Sequence, residues 1–95
     1  QIGMDPSSGE LVSGGVEAEA RQSLENLKEV LKAAGSSYPS VVQASLFLKE
    51  MSDFGRVNAI YGEYFPENPP ARACVAAAEL PKGALFEIVV TALVD

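Results

Sequence analysis

Pro70-Ala71-Arg72-Ala73-Cys74-Val75-Ala76-Ala77-Ala78-Glu79-Leu80-Pro81-Lys82-Gly83-Ala84-Leu85-Phe86-Glu87-Ile88-Val89-Val90-Thr91-Ala92-Leu93-Val94 is the stretch that decides the fold. It reads as two apolar segments around a turn. Ala71 to Ala78 is a strand, and a period of two puts Arg72 and Cys74 on one of its faces. Leu80-Pro81-Lys82-Gly83 carries turn chemistry. Leu85 to Val94 is a last strand with an entirely apolar face: Phe86, Ile88, Val90, Ala92 and Val94. Its other face holds Leu85, Glu87, Val89, Thr91 and Leu93. Glu87 is the only charge between Lys82 and Asp95. A carboxylate in such a strand must be paired, hydrogen-bonded or near water, because burying it alone is costly.

The rest of the chain supplies helices and one further long strand. From Val16 to Ala34, apolar residues recur at Ala20, Leu24, Leu27, Leu31 and Ala34, the spacing of one helix face. Its back is polar, so the helix covers something on one side only. Glu17 near its start and Lys32 near its end suit the helix dipole, Glu17 and Arg21 are spaced to pair, and Gly35 is a natural stop. Val41 to Lys49 reads as a strand with Val42, Ala44, Leu46 and Leu48 on one face. Ser52 or Asp53 can cap a second helix, on which Phe54, Val57, Ile60, Tyr61, Tyr64 and Phe65 have helical spacing and read as core. Pro66, Pro69 and Pro70 end it. At the start, Asp5 to Glu10 is a turn between two short apolar pieces, Ile2/Met4 and Leu11-Val12. Helices with one apolar face beside mixed strands predict a single two-layer α+β domain over residues 1–95.

Composition narrows the function. A chain of 95 residues that is 47% apolar has enough for a core and is expected to bury some surface against another subunit. There is no histidine, which excludes Ser-His-Asp and Cys-His hydrolases and most transition-metal sites. The single cysteine, Cys74, permits neither an internal disulfide nor a thiolate cage. Thirteen acids against seven scattered bases, a net charge of −6, argue against RNA or DNA as a partner. No apolar run is long enough for a membrane span and no signal peptide is visible, so a soluble cytoplasmic protein is expected, or a mitochondrial one if a leader has been removed.

Few residues remain for chemistry. Arg72 and Glu87 stand out as charges in apolar strands. They either pair with each other, face solvent at strand ends, meet a common ligand, or meet partners from another subunit. A hairpin centred near Lys82 sets Glu87 opposite Ala76 or Ala77 rather than Arg72. Cys74 lacks a histidine to activate it and reads as a small buried residue. Asn58 on the second helix reads as a surface or capping polar residue.

Taken together, Pro70-Ala71-Arg72-Ala73-Cys74-Val75, Glu79-Leu80-Pro81-Lys82-Gly83 and Phe86-Glu87-Ile88 resemble the signature of the RidA/YjgF family of reactive intermediate imine deaminases. The family has also been called L-PSP endoribonuclease and translation inhibitor. Asp53-Phe54, Val57-Asn58 and Tyr61 resemble its second helix, Ala20 to Leu27 its first, and Gln1 to Gly9 the segment after its early strands. The resemblance implies a chorismate-mutase-like α+β fold: a mixed sheet with two helices on one face, assembled as a homotrimer with clefts between subunits. It implies hydrolysis of 2-imino acids or enamines, such as 2-iminobutanoate and 2-iminopropanoate, to 2-oxo acids and ammonia, without metal or cofactor. In that reading Arg72 grips the substrate carboxylate, Glu87 orients water and shuttles protons, and the backbone at Ala73 and Cys74 touches ligand. Asn58 matches a family asparagine near the cleft. The family's N-terminal strands, with a Pro-Tyr-Ser-Gln motif, have no counterpart here. Pro69 stands in place of an aromatic residue common in the family, and Phe86 in place of an aliphatic one. A non-catalytic member that holds small carboxylates is the alternative. An endoribonuclease or translation inhibitor is a third reading, which the absent histidines and scattered bases weigh against.

Overall fold

The computed structural model describes all 95 residues. Two helices and three strands follow in the order α1 (Gly15–Ala33), β1 (Val41–Leu48), α2 (Phe54–Tyr64), β2 (Ala71–Ala76) and β3 (Phe86–Ala92). The expected elements are present; the strands are shorter than their apolar runs by one to three residues, and α1 is shifted one residue toward the N-terminus. The exceptions are the apolar pieces at the start. Ile2 and Met4 form only isolated bridges, to Glu87 and Leu11 respectively, around the expected turn at Asp5 to Glu10.

The helix ends follow local chemistry. Gly35 closes α1 at φ 78°, a backbone conformation that costs glycine little. Its N–H donates to Lys32 and the Ser36 N–H to Leu31, which satisfies two carbonyls the helix end would otherwise leave open. Asp53 precedes α2 but makes no capping hydrogen bond; its carboxylate accepts from Arg56 at 2.8 Å instead. Arg21 does not pair with Glu17 within α1. It reaches across to α2 and grips Glu63 with both nitrogens, at 2.9 and 3.0 Å. A bidentate fork beats a single-turn neighbour because both carboxylate oxygens are engaged.

Sheet order is β2-β1-β3. β1 runs parallel to β2, with α2 as the crossover, and antiparallel to β3. The expected hairpin between the last two strands is therefore wrong. The Pro81–Gly83 turn reverses the chain, but β1 lies between the strands it connects. A turn signal reports where a chain bends, not which strand it then pairs with. Glu87 accordingly faces Phe47 on β1, and beyond it Val75 on β2.

Both helices lie on one face of the sheet. Ala44, Leu46, Leu48, Phe86 and Ile88 project into it and pack against Val16, Ala20, Leu24, Leu27 and Leu31 of α1 and Val57, Ile60 and Tyr61 of α2. Val42 was expected among them but is 45% exposed, with Val41 buried in its place. A register shift between Val41 and Gln43 inserts one residue and flips the alternation there. Gly3 packs so tightly on α1 that a Cβ would sit 2.5 Å from the Glu19 Cα. Glu19 is itself buried and accepts from the Leu85 N–H at 2.8 Å, tying α1 to the start of β3.

Leu46 is wholly buried at the centre of this layer. Leu46→Ala is expected to lower unfolding free energy by about 2–5 kcal/mol, read by urea denaturation, because the central strand cannot collapse to fill the gap.

Candidate functional site

Period two and a three-strand register determine where the chemistry lies. Arg72 pairs with Ala44, Cys74 with Leu46 and Ala76 with Leu48, so these three share the helix-covered face. Ala71, Ala73 and Val75 share the opposite, uncovered face with Gln43, Ser45 and Phe47 of β1 and Glu87, Val89 and Thr91 of β3. Arg72 and Cys74 on one face is as expected. Glu87 is on the other. The two candidate charges are two strands and three register positions apart, roughly 10 Å across the sheet and roughly 10 Å along it. They form no ion pair; the chain's ion pairs are Arg21–Glu63 and Arg56–Asp53.

Arg72 is held by α2. Phe54, Asn58 and Tyr61 fall at i, i+4 and i+7, one helix face. The Arg72 guanidinium carbon sits 5.4 Å from the Phe54 ring centroid and 4.9 Å from that of Tyr61. Between them, the Asn58 side-chain oxygen accepts a hydrogen bond from an Arg72 terminal nitrogen. Asn58 is thus neither a cap nor an idle surface group. Sequence periodicity read Phe54 as core, but it is only partly buried and its ring also serves the arginine. The groove beside this cluster measures about 340 Å³ and is lined by Asn58, Tyr61, Phe65, Pro69, Pro70 and Arg72. Pro69 and Pro70 shape its wall at the point where the chain enters β2.

Cys74 follows one pleat further on, half-buried against Leu46. Burial pushes its thiol up, and the nearby Arg72 offsets this only in part. A thiol so placed stays protonated and is a poor nucleophile. The backbone of Ala73 and Cys74 lies along the sheet edge, since β2 pairs on one side only. Its unpaired groups are free to meet a ligand or another strand.

Glu87 is half-exposed on the uncovered face and makes no side-chain hydrogen bond within the chain. Val75 and Val89 on that face are 48% and 50% exposed. The side of the sheet that carries Glu87 is therefore open, with exposed valines beside polar Gln43, Ser45 and Thr91. No cluster of three or more His, Cys, Asp or Glu is placed to hold a metal ion, and no helix is long and apolar enough to cross a membrane.

Comparison with known proteins agrees with this architecture. A family model described as endoribonuclease L-PSP matches residues 1–94. The human 2-iminobutanoate/2-iminopropanoate deaminase is 54% identical over 93 residues, 98% of this chain and 68% of its own length. The rat protein of the same name is 57% identical over 88 residues, 93% of this chain and 64% of its own. The chain thus spans about two thirds of the length of these relatives. The crystal structure of the YjgF gene product from E. coli superposes with a TM-score of 0.89 at 42% identity, over 98% of this chain and 75% of that one. With the family model matched almost end to end and the α+β layers shared with a solved member, the chain belongs to the RidA/YjgF family, described as endoribonuclease L-PSP.

Proposed function

We propose that this protein hydrolyses reactive 2-imino acids, such as 2-iminobutanoate and 2-iminopropanoate, or their enamine tautomers, to 2-oxo acids and ammonia. The observation that carries the reading is the state of Arg72. Its guanidinium is fixed in place by an amide and two rings, yet no carboxylate of the chain neutralises it. A planar fork with its charge uncancelled is suited to a small carboxylate, which it holds in bidentate fashion. The name carried by relatives at 54% and 57% identity supplies the imine next to that carboxylate.

The chemistry asks for little more. Water adds to C2 of the imine: an O–C bond forms and the C=N π pair moves onto nitrogen. The proton lost by water passes through a carboxylate to that nitrogen, giving a carbinolamine. The hydroxyl proton then passes through the same carboxylate to the amino nitrogen as the C–N bond breaks, so that ammonia leaves and the hydroxyl becomes the 2-oxo group. Glu87 is the carboxylate we assign to this shuttle. Imines hydrolyse readily, so positioning the substrate and one water supplies much of the required acceleration. Neither metal nor cofactor enters these steps.

Arg72 and Glu87 lie on opposite faces, so one chain does not present both to the same small molecule. The assembly that answers this is a homotrimer in which the β2 edge of one subunit, carrying Arg72, lies against the uncovered sheet face of the next, carrying Glu87. The exposed Val75 and Val89 would be buried there, as exposed apolar patches of this kind tend to be. RNA is not part of this reading, since seven scattered bases on a chain of charge −6 make no phosphate track.

Two variants test the assignment on the assembled protein. Arg72→Ala is expected to abolish the accelerated release of 2-oxobutanoate and ammonia from enzymatically generated 2-iminobutanoate. Unchanged turnover would remove Arg72 from the site. Glu87→Gln keeps the shape but cannot accept a proton, so kcat is expected to fall by roughly 10²-fold or more while 2-oxobutanoate still binds. Binding of 2-oxobutanoate by the wild-type protein without any turnover would instead favour a carboxylate-holding, non-catalytic role.

A further inference from the structure

The Arg72 bracket has a feature that the proposed chemistry does not itself require. Every group that holds the guanidinium is uncharged. Phe54 and Tyr61 place ring faces 5.4 and 4.9 Å from it, and Asn58 offers a neutral carbonyl oxygen. The usual way to hold an arginine is a carboxylate, and α2 with its preceding residue has two acids to offer, Asp53 and Glu63. Both are engaged elsewhere: Asp53 by Arg56 at 2.8 Å and Glu63 by Arg21 at 2.9 and 3.0 Å. A carboxylate in the bracket would spend two of the five donors of the fork and cancel its charge. Aromatic faces attract the cation through their quadrupole and leave its N–H edge unused.

We propose that Phe54 and Tyr61 are positioning residues for ligand binding: together with Asn58 they fix the plane of the Arg72 guanidinium without neutralising it, so that its free donors are ready for an incoming carboxylate. The rings act through the guanidinium. The effect is one of preorganisation, since a flexible arginine loses rotamer freedom when a ligand orders it and a bracketed one has already lost it. Tyr61 fits this role in a second way. Its hydroxyl is buried with no hydrogen-bond partner, so no polar contact within the chain explains a tyrosine there, while its ring packs on both Arg72 and Phe65. The ring is what the site uses.

This inference rests on Arg72 being the carboxylate anchor, and the test separates the two claims. Phe54 is the better position to vary because it is only partly buried, whereas Tyr61 belongs to the core. On the native assembly, Phe54→Leu is expected to weaken 2-oxobutanoate binding by roughly tenfold, by isothermal titration, and to raise KM by a similar factor with kcat within about twofold. Phe54→Tyr, which keeps the ring, should restore affinity. Val57→Ala truncates a buried neighbour on the same helix without removing a ring from the bracket, and should lower stability without changing affinity. In an Arg72→Lys background, which has no planar fork, Phe54→Leu should cost much less than tenfold. If Phe54→Leu does not fold, Phe54→Met removes the ring in its place. Wild-type affinity in the ring-less variant, with Arg72→Ala inactive, overturns the positioning role alone. Equal losses for Phe54→Leu and Val57→Ala also overturn it, because general loosening would then account for both. Full activity in Arg72→Ala overturns the anchor itself.

Discussion

β1 is paired on both sides, and that constraint organises the molecule. Its parallel partner β2 and antiparallel partner β3 are locked to it in register, Ala44 with Arg72 and Val90, Phe47 with Val75 and Glu87. Since side chains alternate with a period of two, this register assigns every strand residue to one face or the other. It sends Ala44, Leu46 and Leu48 under the helices with Cys74 and Arg72, and sends Phe47 to the open face with Glu87. A slip of one residue would exchange the two sets. The buried face, with Phe86 and Ile88 wholly enclosed, makes such a slip prohibitive.

The two faces then do different work. On the covered face, α2 serves both as the crossover that a parallel pair requires and as the platform that holds Arg72. Phe54, Asn58 and Tyr61 come from one stripe of that helix, so the packing that folds β1 against β2 also sets the arginine's orientation. The open face has no such cover. It presents Glu87 on a face of mixed polar and apolar side chains, with Val75 and Val89 half in water. The Glu87 carboxylate forms no side-chain hydrogen bond and no ion pair within the chain. In the proposed trimer the β2 edge of one subunit meets the open face of the next, and the same step that buries the valines brings Glu87 to a neighbour's Arg72.

Much of this was legible in the sequence. The stripe Ala20, Leu24, Leu27, Leu31 gave away the first helix, and Gly35 its end. The shared face of Arg72 and Cys74 followed from alternation alone. The resemblance carried by Arg72, Cys74 and Glu87 pointed to the family. Strand order was not legible, because the turn at Pro81–Gly83 looks like a hairpin turn whichever strand lies beside it. With β1 unseen between β2 and β3, the opposition of Arg72 and Glu87 could not be read. Val42 was misplaced because a bulge leaves no mark in a run of two valines. The aromatic residues of α2 read as core because helical spacing says which face a side chain takes, not that the face includes an arginine. Arg21 chose Glu63 over Glu17 for a similar reason: the better partner is distant in sequence and met only after packing.

The central claim is that a working site takes Arg72 from one copy and Glu87 from another. It is tested most directly by combining two inactive proteins. Arg72→Ala and Glu87→Gln subunits, co-expressed so that they assemble at random, would restore imine hydrolysis to roughly a quarter of the wild-type rate, since about one interface in four then joins an intact arginine to an intact glutamate. Mixed assemblies no more active than either parent would contradict the account and return both residues to separate sites.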